Sequence, residues 1–408
     1  MGTFTYRARD EKGLLVTGSM EAVNQRDVYA ELDAKGLFPI SAKETKTAGS
    51  ASVDDFLLRF QKVKSDDLIF FTRQLQTIIR AGIPVVAGLR ALEEQTKSPK
   101  LKAAIKTIAQ DIDRGQSLSD ALAQHRSIFP ELYVSMVRAG ETGGGLEEIL
   151  ERLAGIIEFQ MKTKEMLKSA MRYPMFVVGT LILAFIVLLK MVVPKFVPIF
   201  KSANISLPLP TQILLIINDL AEKYTVFTVG TIVLIIVLFI LYKRTAAGAM
   251  AIDRIKLQIP LIGQIILKIC MGRFAFTLEN LVRAGIPIVK TLDIVSRTVG
   301  NSYIAQKIVG IGQNIEKGRG ISKPLKEAGI FPPLVIHLIS TGEETGALEE
   351  MLKEVSTHYD REVSYSVSRL SAWVEPILTA GLSVMVLFLA LAIFMPWWDM
   401  MSAMKGGG

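Results

Sequence analysis

The sequence predicts an all-α membrane protein with a duplicated helical module and a small N-terminal α+β appendage. Three apolar runs are long enough to span a bilayer, and one long block of residues occurs twice in the same order. Residues 1–48 have a different pattern, with alternating segments around a turn. Of the 408 residues, 50% are hydrophobic and 21% are charged, which fits soluble units joined to a few membrane spans.

The apolar runs predict three transmembrane helices. Residues 175–193 contain one charge, Lys190, near the far end of the run, whereas 226–242 and 377–398 contain none. Roughly 20 apolar residues cross the hydrocarbon core, and about 17 suffice when flanking groups reach the interface. Buried core helices would instead show polar residues at helical spacing, which these runs almost lack.

Cations cluster at one end of each apolar run. They precede the first and third runs and follow the second: Lys162, Lys164, Lys168, Arg172, Lys243, Arg244, Arg254, Lys256, Arg361 and Arg369. The loop at 194–224 has only three lysines, which two carboxylates offset. The positive-inside rule therefore predicts cytoplasmic soluble portions, a periplasmic loop and a periplasmic C-terminus. The N-terminus lacks the apolar core of a signal peptide, so we expect no cleavage there.

An internal repeat organises the rest of the chain. The segment 71–86 recurs at 274–289 with an offset of 203, and both copies contain R-A-G-I-P. A Phe-Pro pair follows in each copy, at 129–130 and 331–332. The string G-E-x-x-G-x-L-E-E-x-L then begins at Gly140 and at Gly342, an offset of 202. One register kept over such a distance indicates a duplication.

Each copy predicts a bundle of six helices. Apolar residues at three- and four-residue steps give the first helix of each copy one apolar stripe. Glycines and prolines at equivalent places are interpreted as structural: Gly82, Pro84, Gly140, Pro174, Gly285, Pro287, Gly342 and Pro376. The first glycine of each copy should end a helix at positive φ, and the proline after it should open the next helix.

Later in each copy, Gly140 and Gly342 should stop the fifth helix. The sixth helix should run to Pro174 or Pro376 at the membrane edge, so that motion of the bundle could be passed to the span. Ser117 with Asp120 predicts a capping box before the short fourth helix of the first copy.

The appendage should contain strands near Phe4–Ala8 and 14–20, a turn at 10–13, and a helix from a cap at Asn24 to Gly36. The predicted division of the chain is 1–48 appendage, 49–64 linker, 65–172 cytoplasmic bundle 1, 173–193 transmembrane helix 1, 194–224 periplasmic loop, 225–242 transmembrane helix 2, 243–374 cytoplasmic bundle 2, 375–398 transmembrane helix 3 and 399–408 periplasmic tail.

The residues predict no catalytic, cofactor-binding or metal-binding site. There is no phosphate loop and no nucleophile elbow. His125, His337 and His358 lie far apart in the sequence, and the single Cys270 gives no metal-ligand spacing. The net charge of +8 is spread out: residues 1–174 carry 25 cations against 23 anions, and 243–375 carry 17 against 13. Nucleic-acid binding, which needs a concentrated basic surface, is therefore not expected.

The duplicated acidic turn is the one polar motif that could carry function. One interpretation is turn and cap chemistry. The other is that Glu141, Glu343 and Glu344 form an acidic contact surface for a basic partner. The residues leave both interpretations open.

Taken together, R-A-G-I-P in both copies, the two Phe-Pro pairs, the repeated acidic turn and Leu207-Pro-Leu-Pro-Thr211 resemble one family. It is the type II secretion F protein and type IV pilus PilC-type inner-membrane platform family. The resemblance extends from Phe4 to Trp398. It implies a non-catalytic platform beneath which a hexameric assembly ATPase docks and which pilin or pseudopilin subunits meet in the membrane.

Other inner-membrane assembly proteins, membrane lipid and further copies of the chain are the remaining partners that the resemblance implies. A polytopic transporter subunit is the alternative from another class. Transporters usually carry polar residues or broken helices at mid-membrane, which these runs do not show. A membrane-bound enzyme would need a catalytic constellation that the sequence does not offer.

Overall fold

The computed structural model describes residues 2–9, 15–22, 25–45, 62–187, 190, 191, 212, 216 and 225–405. The predicted turn at 10–13, the cap at Asn24, most of the linker at 49–64 and nearly all of the loop at 194–224 lie outside these ranges. The chain forms two compact units, residues 1–63 with 97–103 and residues 64–96 with 104–408.

The N-terminal residues fold into a three-stranded antiparallel sheet with one helix. Strands β1 (Gly2–Arg9) and β2 (Leu15–Ala22) are followed by helix α1 (Gln25–Ala34) and strand β3 (Phe38–Thr45). The strand order is β2-β1-β3. Both predicted strands and the helix are confirmed, and Gly36 ends the helix at φ 72°.

Strand β3 was not predicted from the sequence. It is an edge strand, in which Pro39 pairs opposite Ala8 next to a shift in register. Proline removes one ladder hydrogen bond and is tolerated at such an edge. The core of this fold is formed by Ala8, Ala22, Val28 and Leu32, against which Tyr6 and Leu37 pack.

The first copy of the repeat contains helices α2 (Ser65–Arg80), α3 (Val85–Gln95), α4 (Pro99–Asp113), α5 (Leu118–Ala123), α6 (Glu131–Gly143) and α7 (Leu146–Val187). The predicted stripe on α2 is confirmed, since Phe71 and Leu75 are buried. Phe71 meets Phe129 of the Phe-Pro pair with ring centroids 5.6 Å apart, and Phe129 meets Tyr133 at 4.9 Å. The repeated aromatic residues therefore form the centre of the copy.

Helices α8 (Thr225–Arg244) and α9 (Ala246–Gln258) connect the two copies. The second copy contains α10 (Ile262–Arg283), α11 (Ile288–Thr298), α12 (Ser302–Glu316), α13 (Ser322–Ala328), α14 (Pro333–Thr345) and α15 (Leu348–Lys405). Phe274 and Phe331 repeat the aromatic contact at 5.0 Å. The copies also touch each other, since Phe159 stacks on Phe276 at 4.6 Å and Lys162 pairs with Asp360 at 2.9 Å.

The predicted ends of the first helices are confirmed in both copies. Gly82 has φ 71° and Gly285 has φ 73°. The N–H of Ile83 bonds the carbonyl of Ile78 at 3.1 Å, which closes the helix end in the pattern that glycine permits. Pro84 and Pro287 then precede the first residues of α3 and α11 and act as their N-caps.

The prediction that the sixth helix of each copy ends at a proline is wrong: α7 and α15 both continue past it. Pro174 lies inside α7, and Pro376 lies inside α15, which is 58 residues long. An internal proline removes one backbone hydrogen bond. Membrane-spanning helices tolerate it because neighbouring groups satisfy the freed carbonyl. Each copy of the repeat therefore continues into an apolar segment without a break.

Two helices among the described residues are long and apolar enough to cross a membrane, Leu146–Val187 and Leu348–Phe388. Their most apolar windows are 6% and 0% buried within the chain, so almost none of this surface is covered by protein. A further candidate is the pair Val233–Arg244 and Ala246–Gln258, which is bent by 101°. The predicted run at 226–242 lies within α8 and is exposed where its side chains are described.

Candidate partner-contact site

The two acidic turns join α6 to α7 and α14 to α15. Gly144 at φ 76° and Gly346 at φ 72° cap α6 and α14 in the left-handed conformation. Gly140 and Gly342 lie one turn earlier, inside the helices, so the prediction that they stop the fifth helix is wrong. A Cβ atom on Gly342 would lie 2.9 Å from the Cα of Leu348, and the equivalent approach at Gly140 is 3.0 Å. Glycine here allows the next helix to begin directly against the previous one.

The first glutamate of the turn in copy one is directed into the module. The Glu141 carboxylate accepts hydrogen bonds from the backbone N–H groups of Leu118 and Ser119 at 2.6 and 3.1 Å. These are free N–H groups of the first turn of α5, where an anion is favoured. Ser117 completes the start of α5 by accepting from the Asp120 N–H at 3.1 Å, which confirms the serine half of the predicted capping box.

Copy two repeats this arrangement. Glu343 accepts from the N–H groups of Ile321 and Ser322 at 2.6 and 2.9 Å, at the start of α13. Partial burial of the Glu343 carboxyl opposes its ionisation. The two backbone hydrogen bonds outweigh that effect and lower its pKa below the ordinary value. The carboxylate is thus held ionised by the helix that it caps.

Glu344 differs from these two residues. Its side chain is exposed and accepts one hydrogen bond, from the Ser340 hydroxyl at 3.2 Å. In copy one the equivalent residue is Thr142. Of the three predicted contact residues, Glu344 therefore leaves its carboxylate most open to another molecule, while Glu141 and Glu343 each hold a helix start.

The two repeated motifs meet in space, which the sequence did not predict. Arg80 of the first R-A-G-I-P string pairs with Glu147 of the L-E-E string at 3.3 Å. Arg283 and Glu349, the equivalent residues of copy two, pair at 3.1 Å. All four side chains are at least 37% exposed, so each pair stabilises the fold by less than about 1 kcal/mol. Their place, next to the capped turns, gives each module the same charged edge.

Comparison with known families gives two matches to the duplicated region and one to the appendage. Residues 71–194 and 274–396 each match the family described as type II secretion system (T2SS), protein F. Residues 1–43 match the type II secretion system protein F, N-terminal domain. The chain belongs to the type II secretion system protein F family.

Known members of this family align with nearly the whole of this chain. The type IV pilus assembly protein PilC of Thermus thermophilus is 36% identical over 97% of this chain and 97% of its own length. PilC of Myxococcus xanthus is 33% identical over 98% and 96%. The type II secretion system protein F of Vibrio cholerae is 33% identical over 99% and 100%.

The protein F matches follow the structural repeat. Both begin at the aromatic residue of the first helix, Phe71 or Phe274, and both extend into the apolar part of the long helix. The N-terminal match contains β1, β2, α1 and most of β3. Helix α9 lies between the matched segments. The repeated strings begin at residues 71 and 274, the second of them after α9, so the repeat carries no signal for this helix.

The three histidines of the chain lie far apart in the sequence. His337 and His358 are exposed, and His125 is half-buried. Burial lowers the pKa of His125, against the opposing charge of Asp111. Within the described ranges, no group of three or more His, Cys, Asp and Glu side chains could hold a metal ion. At the acidic turns, the polar groups of Glu141 and Glu343 cap helix starts.

Proposed function

We propose that this chain is the non-catalytic inner-membrane platform of a type IV pilus assembly or type II secretion machine. It would couple a cytoplasmic hexameric ATPase to the insertion of pilin or pseudopilin subunits into a filament. The observation that carries the proposal is the unbroken course of α7 and α15. Each links a packed module to an apolar, uncovered segment.

The proposed topology has three spans. Helices α7 and α15 supply two of them, and α8 supplies the third, which the bend after Arg244 terminates. The cation asymmetry supports a cytoplasmic appendage and cytoplasmic modules, with residues 194–224 and the C-terminal tail in the periplasm. An alkaline phosphatase fusion after Lys405 should be active and one after Arg244 inactive. The reverse pattern would refute this topology.

Mechanical coupling follows from helix continuity. Helix α7 has 42 residues and α15 has 58, so each extends over roughly 60–90 Å at 1.5 Å per residue. The Phe159–Phe276 stack and the Lys162–Asp360 pair tie the copies together below the membrane. A force applied to either module would therefore tilt or turn both long helices, and with them the spans that meet the filament subunits.

The proposed motor contacts are the acidic turn and the appendage at residues 1–48. Glu344 is the most available carboxylate. Glu343 adds negative charge in the same turn, and Glu141 adds it in the equivalent turn of copy one. A basic surface on the ATPase would complement this charge. A single exposed pair contributes only about 0.2–1 kcal/mol, so association should depend on several such contacts and on low salt.

The test is co-purification of the assembly ATPase of the same organism with the full-length chain. Glu344→Lys should slow association, most clearly at low salt, and deleting residues 1–48 should weaken binding while the membrane part still inserts. Glu316→Lys is the matched control, because Glu316 is an exposed carboxylate in the same copy, at the C-terminal end of α12 and outside the turn sequence. Wild-type binding and filament assembly or secretion in both test variants would place the motor contact elsewhere.

The same preparation separates the alternatives. A platform should hydrolyse no ATP by itself and move no solute across a liposome membrane. Solute uptake by the purified chain would favour a transporter subunit, and ATP hydrolysis without the motor would contradict a non-catalytic role. Loss of pilus assembly or of secretion in a deletion strain would decide between the two machines.

A further inference from the structure

A groove of about 500 Å³ lies between the start of α10 and the middle of α15. It has an apolar end and a polar end. Its lining includes Leu261, Ile265, Lys268, Arg369, Leu370 and Trp373.

The apolar end lies next to the proposed membrane span. Trp373 is 59% exposed and precedes the apolar run at 377–398 by four residues, roughly 6 Å along the helix. Tryptophan is enriched at this level of a bilayer. Leu261 is 55% exposed. Its backbone has φ 66°, a value that residues other than glycine rarely adopt. Two large apolar side chains are thus displayed close to the start of the apolar run.

The polar end lies one to three helical turns farther from the span. The Lys268 ammonium donates to Glu362 at 2.7 Å and to the Ser366 hydroxyl at 2.9 Å, which leaves one of its three donors. Arg369 stacks on the ring of Tyr365 at 5.2 Å. Within the described part of the chain Arg369 makes no ion pair, so its donors remain available for an anion.

We propose that this groove binds one anionic phospholipid of the cytoplasmic leaflet. Its acyl chain would lie along Leu261 and Trp373, and its phosphate would be held by Arg369 and Lys268. The proposal rests on the topology proposed above, in which α15 enters the membrane after Trp373.

The groove is long enough for a lipid headgroup. Along α15, Arg369 lies four residues, roughly 6 Å, before Trp373, and Ser366, which Lys268 contacts, lies seven residues, roughly 10 Å, before it. A phosphate between these two levels would lie at the outer edge of a headgroup layer about 5–8 Å deep. Arginine also matches phosphate geometry with two parallel donors.

Copy one lacks the charged and aromatic side chains of the groove at the equivalent positions. The residues at the positions of Lys268, Arg369 and Trp373 are Ser65, Leu167 and Met171. The duplication therefore carries the common fold in both copies, but the lipid-binding side chains in only one of them.

The test measures lipid binding to the purified full-length chain in detergent. Native mass spectrometry would count adducts during titration with phosphatidylglycerol and, separately, with phosphatidylcholine. We expect one tightly held phosphatidylglycerol and weaker binding of phosphatidylcholine. Arg369→Gln should lower the phosphatidylglycerol affinity by about tenfold, the loss of one charge-assisted contact.

Two further variants keep the result decisive. Glu362→Gln frees Lys268 and should raise the affinity, a gain that misfolding cannot imitate. Lys168→Gln removes an exposed cation from α7 at the equivalent height, outside the groove, and should leave the affinity unchanged. Equal binding of the two lipids, or an equal loss in Lys168→Gln and Arg369→Gln, would overturn the groove. An inverted phosphatase pattern would instead refute the topology, whatever the lipid titration shows.

Discussion

The cap formed by Glu343 gives a sharp prediction about stability. Its carboxylate holds the Ile321 and Ser322 N–H groups at 2.6 and 2.9 Å. Replacing Glu343 with alanine removes a capping interaction of about 1 kcal/mol and a favourable charge at a helix start of about 0.3–1 kcal/mol. Water can reach part of the site, which limits the penalty for the freed N–H groups. We therefore expect a loss of about 1–3 kcal/mol.

The pH dependence of this cap has a definite sign. The folded-state pKa of Glu343 lies below the ordinary value of 4.5. A carboxyl with a lowered pKa stabilises the fold above its unfolded-state pKa, and the stabilisation is lost as the pH falls through the folded-state pKa. The difference in stability between wild type and Glu343→Gln should therefore be full at pH 7 and shrink below about pH 4.5.

The assay is thermal unfolding of the full-length chain in detergent, with all variants heated at one scan rate because such transitions are often irreversible. At roughly 2–4 °C per kcal/mol for a large domain, Glu343→Ala should lower the midpoint by about 2–12 °C. Glu344→Ala is the matched control and should stay within about 0.5 kcal/mol of wild type. An unchanged midpoint for Glu343→Ala, or an equal fall for Glu344→Ala, would refute the capping role.

Three other experiments test the packing. Gly342→Ala should destabilise the chain by about 1–3 kcal/mol because its Cβ would press on the start of α15. Gly155→Ala is the control: open space surrounds Gly155, so this change should stabilise the chain by about 0.5–1 kcal/mol. Equal unfolding midpoints for the two variants would contradict the close approach at Gly342. Gly82→Val and Gly285→Val should each cost roughly 1–2 kcal/mol at positive φ, and a midpoint like that of wild type would mean that the turn tolerates a side chain. Cys270 is 2% exposed, and burial raises the pKa of its thiol to about 12. Maleimide should therefore label Cys270 at pH 8 only after the chain unfolds. Rapid labelling of the folded chain would show that α10 opens.

The sequence predicted the parts of the fold that depend on local chemistry. Apolar stripes, the glycine at positive φ after α2 and the serine cap of α5 each follow from a few neighbouring residues, and all three are confirmed. Strand β3 was missed because proline and alanine weaken its strand pattern, and only pairing with β1 reveals it. Gly140 was misinterpreted because a glycine near a helix end is usually a cap, whereas this one is needed for close packing.

The site depended on contacts between distant segments. Glu141 caps a helix start more than 20 residues earlier in the chain, and Arg80 pairs with Glu147 across most of the first module. One sequence signal could have found the second contact: the arginine and the glutamate recur together in both copies. Repetition alone, however, cannot distinguish a pair that holds the fold from a surface that binds a partner.

The duplication separates these two roles. Residues that are the same in both copies, such as Glu141 and Glu343, are engaged within their own modules and keep the module's shape. Exposed residues that differ between the copies are not required by the fold that the copies share. Glu344 stands where copy one has Thr142, and Arg369 in the lining of the groove stands where copy one has a leucine. A platform made of two equivalent modules can meet an asymmetric set of neighbours only through positions of this second kind. Partner and lipid contacts should therefore be sought first where the copies disagree.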